Sequence, residues 1–169
     1  FIRETDRRQA LWVNAAGIER KVSDDCGRPA GWTPDESAVL CIGDRSLWRV
    51  EAASGRRMPL LRRQGWTVME ASLSPLGNWM ALSVDHGKQK IQTYLAPFRP
   101  AGLADPPTWK WIAEEPFNLT LAWSADGSRI YYFHSQDGFR CLWSQRVENI
   151  LQGPAGAPPE SVRHFHSYQ

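Results

Sequence analysis

Three segments of the chain repeat one another, and a repeat of this length restricts the fold more than any composition figure does. The first reads Gly31-Trp32-Thr33-Pro34-Asp35-Glu36-Ser37-Ala38-Val39-Leu40, and the last reads Ala122-Trp123-Ser124-Ala125-Asp126-Gly127-Ser128-Arg129-Ile130-Tyr131. Between them lies a weaker copy, Ser72-Leu73-Ser74-Pro75-Leu76-Gly77-Asn78-Trp79-Met80-Ala81. With the hydroxyl residue as anchor, Thr33 to Ser74 is 41 positions and Ser74 to Ser124 is 50. That spacing brackets a four-stranded propeller blade and is too long for the short solenoid repeats. A second landmark follows each anchor: Leu47-Trp48, Tyr94-Leu95 and Leu142-Trp143. Leu11-Trp12 is a fourth copy with no anchor before it.

Local chemistry within each unit favours strands. Short runs rich in β-branched and aromatic residues, clearest at 130–133, are bounded by turn dipeptides such as Asp126-Gly127 and Asp137-Gly138. Gly accepts positive φ without a steric penalty, and the Asp carboxylate accepts bonds from backbone amides just ahead, which together make a hairpin. No long stripe of period 3.6 occurs, and 13 Gly and 12 Pro interrupt the chain at intervals too short for stable helices. The expected class is therefore all-β. Strands are expected near 30–34, 38–43, 46–51 and 56–63; near 67–74, 79–84, 90–97 and 108–114; and near 118–124, 129–135, 140–147 and 160–167.

At 169 residues, 42% hydrophobic and 22% charged, the chain has the means to build a core and lacks the composition of a disordered one. The formal charge is +2, and basic residues fall in scattered pairs such as Arg7-Arg8, Arg56-Arg57 and Arg62-Arg63. No electrostatic funnel for nucleic acid is evident. No apolar run approaches the roughly 18 residues of a membrane span. Cys26, Cys41 and Cys141 match no C-x-x-C spacing and cannot all pair within the chain. Buried thiols on strands are the expectation, with one disulfide left open for an exported protein. The chain opens on Phe1, directly before a polar stretch, which reads as a start inside an element of something longer.

The segment Leu121-Ala122-Trp123-Ser124-Ala125-Asp126-Gly127-Ser128-Arg129-Ile130-Tyr131-Tyr132-Phe133 resembles the W-S-P-D-G repeat of the TolB-like bacterial β-propellers, with Ala125 in place of the usual Pro. Asp137-Gly138-Phe139-Arg140-Cys141-Leu142-Trp143 resembles the third strand of that repeat. The first copy keeps Trp-Thr-Pro-Asp at 32–35 but has Glu36 where Gly is expected, and the second keeps Ser74-Pro75 but has Leu76 where Asp is expected. The Gly-His and Trp-Asp dipeptides of eukaryotic WD repeats are absent. The closing Val162-Arg163-His164-Phe165-His166-Ser167-Tyr168 is similar to a segment of propellers attached to bacterial Ser/Thr kinases and winged-helix regulators.

The resemblance implies a β-propeller sector of about three and a half four-stranded antiparallel blades, part of a ring of roughly six to eight. Its units are 1–25, the end of a truncated blade, then 26–64, 65–116 and 117–169, all in one propeller domain. On that alignment the opening Phe1-Ile2-Arg3-Glu4 ends a second strand, 10–14 is a third and 18–23 an outer one. Open blade edges leave self-association possible, because an unclosed ring exposes an apolar blade face.

Residues that recur read as architecture. Trp12, Trp48 and Trp143 share one repeat position and Trp32 and Trp123 another, so packing between blades accounts for them. Asp35 and Asp126 sit inside the turn motif and read as turn-makers rather than catalytic carboxylates. Trp66, Trp79, Trp109 and Trp111 do not recur. Trp109 and Trp111 stand two apart on an expected strand, hence on one face, where they could form an aromatic shelf for a ligand. His164 and His166 also share a face at a spacing that could hold a metal, but no third ligand lies nearby, and neither a metal nor a cofactor is expected. No G-x-S-x-G elbow, Walker sequence or H-E-x-x-H occurs.

The function expected is a non-catalytic interaction or sensor module of a larger bacterial signalling or envelope protein. It would bind a protein, peptide or glycan through the long insertions at 98–108 and 148–159, in a periplasmic or extracytoplasmic setting. The alternative is the substrate-gating propeller of a prolyl-oligopeptidase-like hydrolase whose catalytic domain lies outside this chain.

Overall fold

The computed structural model describes residues 2–5, 8–15, 18–24, 26–87, 90–99, 102–115, 120–136 and 139–163, with side chains from 21 onward, Gln136 excepted. A three-stranded antiparallel sheet comes first: β1 (Ile2–Thr5), β2 (Arg8–Ala15) and β3 (Ile18–Ser23). The next sheet is the meander β4 (Arg28–Trp32), β5 (Ala38–Gly43), β6 (Ser46–Glu51) and β7 (Arg57–Leu61). The third holds β8 (Thr67–Leu73), β9 (Trp79–Asp85) and β10 (Ile91–Arg99), with the short β11 (Gly102–Leu103) folded back on the end of β10, and β12 (Lys110–Glu115) pairing along the rest of β10. The fourth runs β13 (Leu121–Trp123), β14 (Arg129–Gln136), β15 (Phe139–Arg146) and β16 (Glu160–Arg163). The first strands of successive sheets pack together, β4 on β8 and β8 on β13. This is the blade-on-blade arrangement of a β-propeller.

Blade faces are buried against their neighbours, and the core lies between the sheets. Along β9 five consecutive residues, 80–84, are fully buried, because both faces of that sheet are covered. Alternation divides them: Met80, Leu82 and Val84 join Leu40, Leu47 and Leu61 on one side, while Ala81 joins Leu95, Ile130 and Trp143 on the other. A fully buried Leu or Met contributes on the order of 2 kcal/mol. The hydroxyls of Ser83 and Thr93, both buried, satisfy each other at 2.9 Å within the same layer.

The repeat anchors close the first hairpin of each blade with the same set of bonds. Thr33, Ser74 and Ser124 donate their amides to the carbonyls of Ala38, Trp79 and Arg129, at 2.9, 2.8 and 3.0 Å. Their hydroxyls in turn accept the amides of those same residues at 3.0, 3.1 and 2.9 Å. The third residue after each anchor donates back to the anchor carbonyl, and it needs positive φ: Glu36 at 54°, Gly77 at 68° and Gly127 at 69°. The turns stack from blade to blade. A Cβ at Gly77 would lie 2.2 Å from Cγ of Pro34, and one at Gly127 would meet Leu76 at 3.6 Å.

The second landmark is equally structural. Trp48 pairs with Cys41 and its indole donates to the carbonyl of Gly43 at 2.9 Å; Trp143 pairs with Tyr132 and donates to His134 at 3.2 Å. The two occupy equivalent third strands, in blades separated by the one that holds Tyr94. In all four sheets the outer strand bulges opposite this landmark, and the extra residue is apolar each time: Val22, Leu60, Ile112 and Val162. The Trp12 side chain lies outside the described residues, as do His164, His166 and the 137–138 turn.

Several expectations change. Trp123 packs between blades, its indole donating to the carbonyl of Ser72 at 3.1 Å, but Trp32 is 44% exposed. Among the described residues the first sheet has three strands and no counterpart of β8. Cys26 and Cys41 form a disulfide instead of lying as thiols, while Cys141 is the buried free thiol. The bond closes a separation of 15 residues and contributes roughly 3 kcal/mol by limiting the unfolded chain. The 148–159 insertion is not plain loop, since it carries most of a helix, α1 (Val147–Gln152). Six residues are too few to hold a helix by propensity; buried Val147 and Ile150, one turn apart, anchor it on β12 and β15.

The turn geometry yields a paired expectation. Glu36→Gly should raise stability by about 1 kcal/mol, because an exposed L-residue at positive φ is strained. Gly77→Ala should lower it by at least about 2 kcal/mol, through strain plus the clash with Pro34. Urea-denaturation midpoints measure both, and equal midpoints for the two variants would contradict the stacked turns.

Candidate functional site

Between the outer strand of the third sheet and the fourth sheet lies a cavity of about 620 Å³. Pinning the first strands together leaves the outer strands splayed, and here the wedge is incompletely filled. The β12 strand supplies Trp111, Ile112 and Ala113, β14 supplies Tyr132 and His134, and β15 supplies Gln145. Ile150 of α1 and then Pro154 and Pro159 of the following loop close the opposite wall. The 148–159 insertion thus borders the cavity. Among the described residues, the 98–108 insertion reaches it only through the residue it delivers, Trp109.

Trp109 and Trp111 both line the cavity, one buried and the other exposed. Pro106–Thr108 makes a 3-10 turn that ends at Trp109, so this residue precedes β12 instead of lying in it. Trp109 is 9% exposed, donates its indole N–H to the carbonyl of Ala104 at 2.8 Å, and packs at 6.0 Å from Trp66 and 5.6 Å from Tyr94. It is a wall. Trp111, 60% exposed, is the ring available to a ligand.

Polar groups are few and, exposed Lys110 apart, fixed. Tyr132 donates its hydroxyl to Oε1 of Gln145 at 3.3 Å, and burial pushes that hydroxyl far above the ordinary tyrosine range, so it stays protonated. Among the described residues Glu115 is the one buried carboxylate. Its Oε1 accepts the Ser135 amide at 2.7 Å and meets Nδ1 of His134, tying β12 to β14 across the gap. With Nδ1 turned to that carboxylate, the imidazole is held as part of the cavity lining. Sequence reading missed Glu115, Tyr132 and Gln145. The available signal was that Tyr132 and His134 share a strand face at i and i+2.

The turn aspartates belong to the fold. The Thr33 hydroxyl, then the Ser37 hydroxyl and amide, hold the Asp35 carboxyl down at about 2. The Ser124 hydroxyl, then the Ser128 amide and hydroxyl, do the same for Asp126, also about 2. Among the described residues no group of three His, Cys, Asp or Glu side chains converges as a metal site would require. No helix among them is long and apolar enough to cross a membrane.

The chain superposes on a protein described as TolB from Agrobacterium tumefaciens with TM-score 0.62 and 19% identity, covering 87% of this chain and 50% of that one. It superposes on TolB from Acinetobacter baumannii with TM-score 0.69 and 14% identity, covering 95% and 39%. The fold is that of the TolB-like β-propellers. A prolyl endopeptidase structure also matches, at TM-score 0.58 and 15% identity, with 95% of this chain on 26% of that one. The chain spans half or less of the length of each of these structures. No family model matches it, and neither does any curated protein sequence.

Because the folded-state values of Asp35 and Asp126 lie below 3.8, what their ionised forms add to stability is fully present above that pH. It is lost as pH falls through about 2. A carboxyl-carbon NMR titration should place both groups near 2; values at 3.8 would remove the turn bonds from the account.

Proposed function

We propose that the chain is a non-catalytic β-propeller interaction module that binds an extended apolar peptide segment of a partner protein in the cavity beside β12. The carrying observation is the juxtaposition of exposed Trp111 with a concave, mostly apolar space of about 620 Å³. That volume is typical of binding pockets. A peptide suits it better than a glycan, since the lining offers few polar groups and, Lys110 apart, these (Tyr132, Gln145 and His134) are already engaged. The outer edge of β12 has no strand partner among the described residues, leaving backbone groups for an added strand.

The units 1–25, 26–64, 65–116 and 117–169 act on this reading as one propeller domain within a larger bacterial signalling or envelope protein. The Cys26–Cys41 bond supports a periplasmic or other extracytoplasmic setting, where disulfides persist. The second reading, a gating propeller for a prolyl-oligopeptidase-like hydrolase, is compatible with the endopeptidase likeness. On it, too, no residue of this chain performs chemistry, and a hydrolase domain in the surrounding reading frame decides between the two.

Screening an immobilised peptide array beside an oligosaccharide array tests the proposal. Apolar, aromatic-containing peptides should bind, and Trp111→Ala should weaken them by about 30-fold or more, the loss expected of a hot-spot aromatic. Binding only to oligosaccharides, or peptide binding indifferent to Trp111→Ala, would overturn it.

A further inference from the structure

A second concavity, of about 440 Å³, lies where the β5–β6 turn meets the loop leading into β8. We propose that it binds a small oxyanion, a carboxylate or phosphoryl group, held by the guanidinium groups of Arg45, Arg62 and Arg63. These three line the space together with Trp66 and a single acid, Asp44.

The charge balance is the first reason. Arg28, Arg56, Arg57, Arg129 and Arg146 each make an ion pair, with Glu70, Glu51, Asp44, Glu160 and Glu148. Among the described residues no carboxylate pairs with Arg45, Arg62 or Arg63. Asp44 is turned to Arg57, outside the concavity lining, at 3.1 Å. Three like charges are therefore held round one space with their nearest acid already engaged, and an anion entering it would relieve their repulsion.

The second reason is orientation. Arg45 donates Nε to the Thr67 hydroxyl at 2.8 Å, which fixes its plane and leaves its terminal amino groups free for the two-pronged bonding that guanidinium gives carboxylate and phosphate. Its carbonyl accepts the Val68 amide at 3.0 Å, locking the turn against the start of β8. Arg63 lies 4.6 Å over the Trp66 ring, and that ring is itself fixed edge-on by His86 at 4.3 Å. The cluster is built on a rigid wall.

The backbone supplies a third, independent reason. The two-residue turn joining β5 and β6 has positive φ at both Asp44, 49°, and Arg45, 63°. Such turns favour Asn followed by Gly. Arg at the second position is strained, and what the strain provides is a guanidinium at the mouth of the concavity.

Isothermal titration of the full chain at constant ionic strength, with inorganic phosphate and separately with glucuronate, tests the assignment. Saturable binding of at least one probe is expected. Arg45→Gly should weaken it about tenfold, the loss of one charge-assisted contact, while raising the melting temperature because the turn is relieved. Arg62→Ala/Arg63→Ala should weaken it further. Phosphate alone binding assigns a phosphoryl ligand, glucuronate alone a carboxylated one, and both together an oxyanion site that does not discriminate. Failure of both probes, or wild-type binding by the better-folded Arg45→Gly variant, would overturn the site.

Discussion

Pro34 rests where Gly77 has no side chain, and the other blades are organised from that contact outward. A Cβ at position 77 would lie 2.2 Å from the proline ring, so the turns of Thr33 and Ser74 approach too closely to admit a side chain there. Pro75, the equivalent of Pro34, and Leu76 then lie against Gly127 of the next turn in ordinary contact, at 3.7 and 3.6 Å from where a Cβ would stand. Stacking the turns brings β4, β8 and β13 side by side, and once these are pinned the sheets must fan apart toward their outer strands. Apolar side chains from facing blades fill the resulting wedges, which is why β9 is buried on both faces. At the outer rim strands no longer suffice, and between β12 and β14 a short helix and two prolines border a gap that stays open.

The parts of this plan governed by local chemistry were legible in the chain. Thr33, Ser74 and Ser124 recur because each closes its hairpin with bonds that span only five residues, and a motif that short is written contiguously. Glu36 departs from the pattern and still adopts 54°, because the neighbouring bonds determine the turn. The bulges opposite the landmark tryptophans were not legible. An extra Val22, Leu60, Ile112 or Val162 is invisible to alternation counted along one strand, since it exists only relative to a partner. The 3-10 turn before Trp109 was not legible either, since Pro106–Thr108 carries no repeat signal and Trp109 only closes that turn. The helix at 147–152 depends on buried contacts with other strands, and the Cys26–Cys41 bond on a meeting across a hairpin that three cysteines alone could not choose.

Recurrence separates scaffold from site. The turn hydroxyls, turn carboxylates and landmark tryptophans repeat in register, and each is consumed by bonds within the blades. The side chains left over occur once: Trp111 at the cavity, Glu115 bridging to His134, and the arginines around Trp66. Both candidate sites also lie where one blade meets the next, positioned by the wedge geometry that the stacked turns impose. Rigid stacked turns with outer seams that differ from blade to blade are the physical form in which a repeat scaffold can carry binding surfaces without altering its repeats.

Native-state hydrogen exchange tests the coupling of the turns most directly. The amides of Thr33, Ser74 and Ser124 are each held by the carbonyl that closes a turn, in three different blades. If the stacked turns form one unit, these amides should exchange with a common opening free energy and respond together to Gly77→Ala. Three different opening energies, with Gly77→Ala changing only that of Ser74, would contradict it.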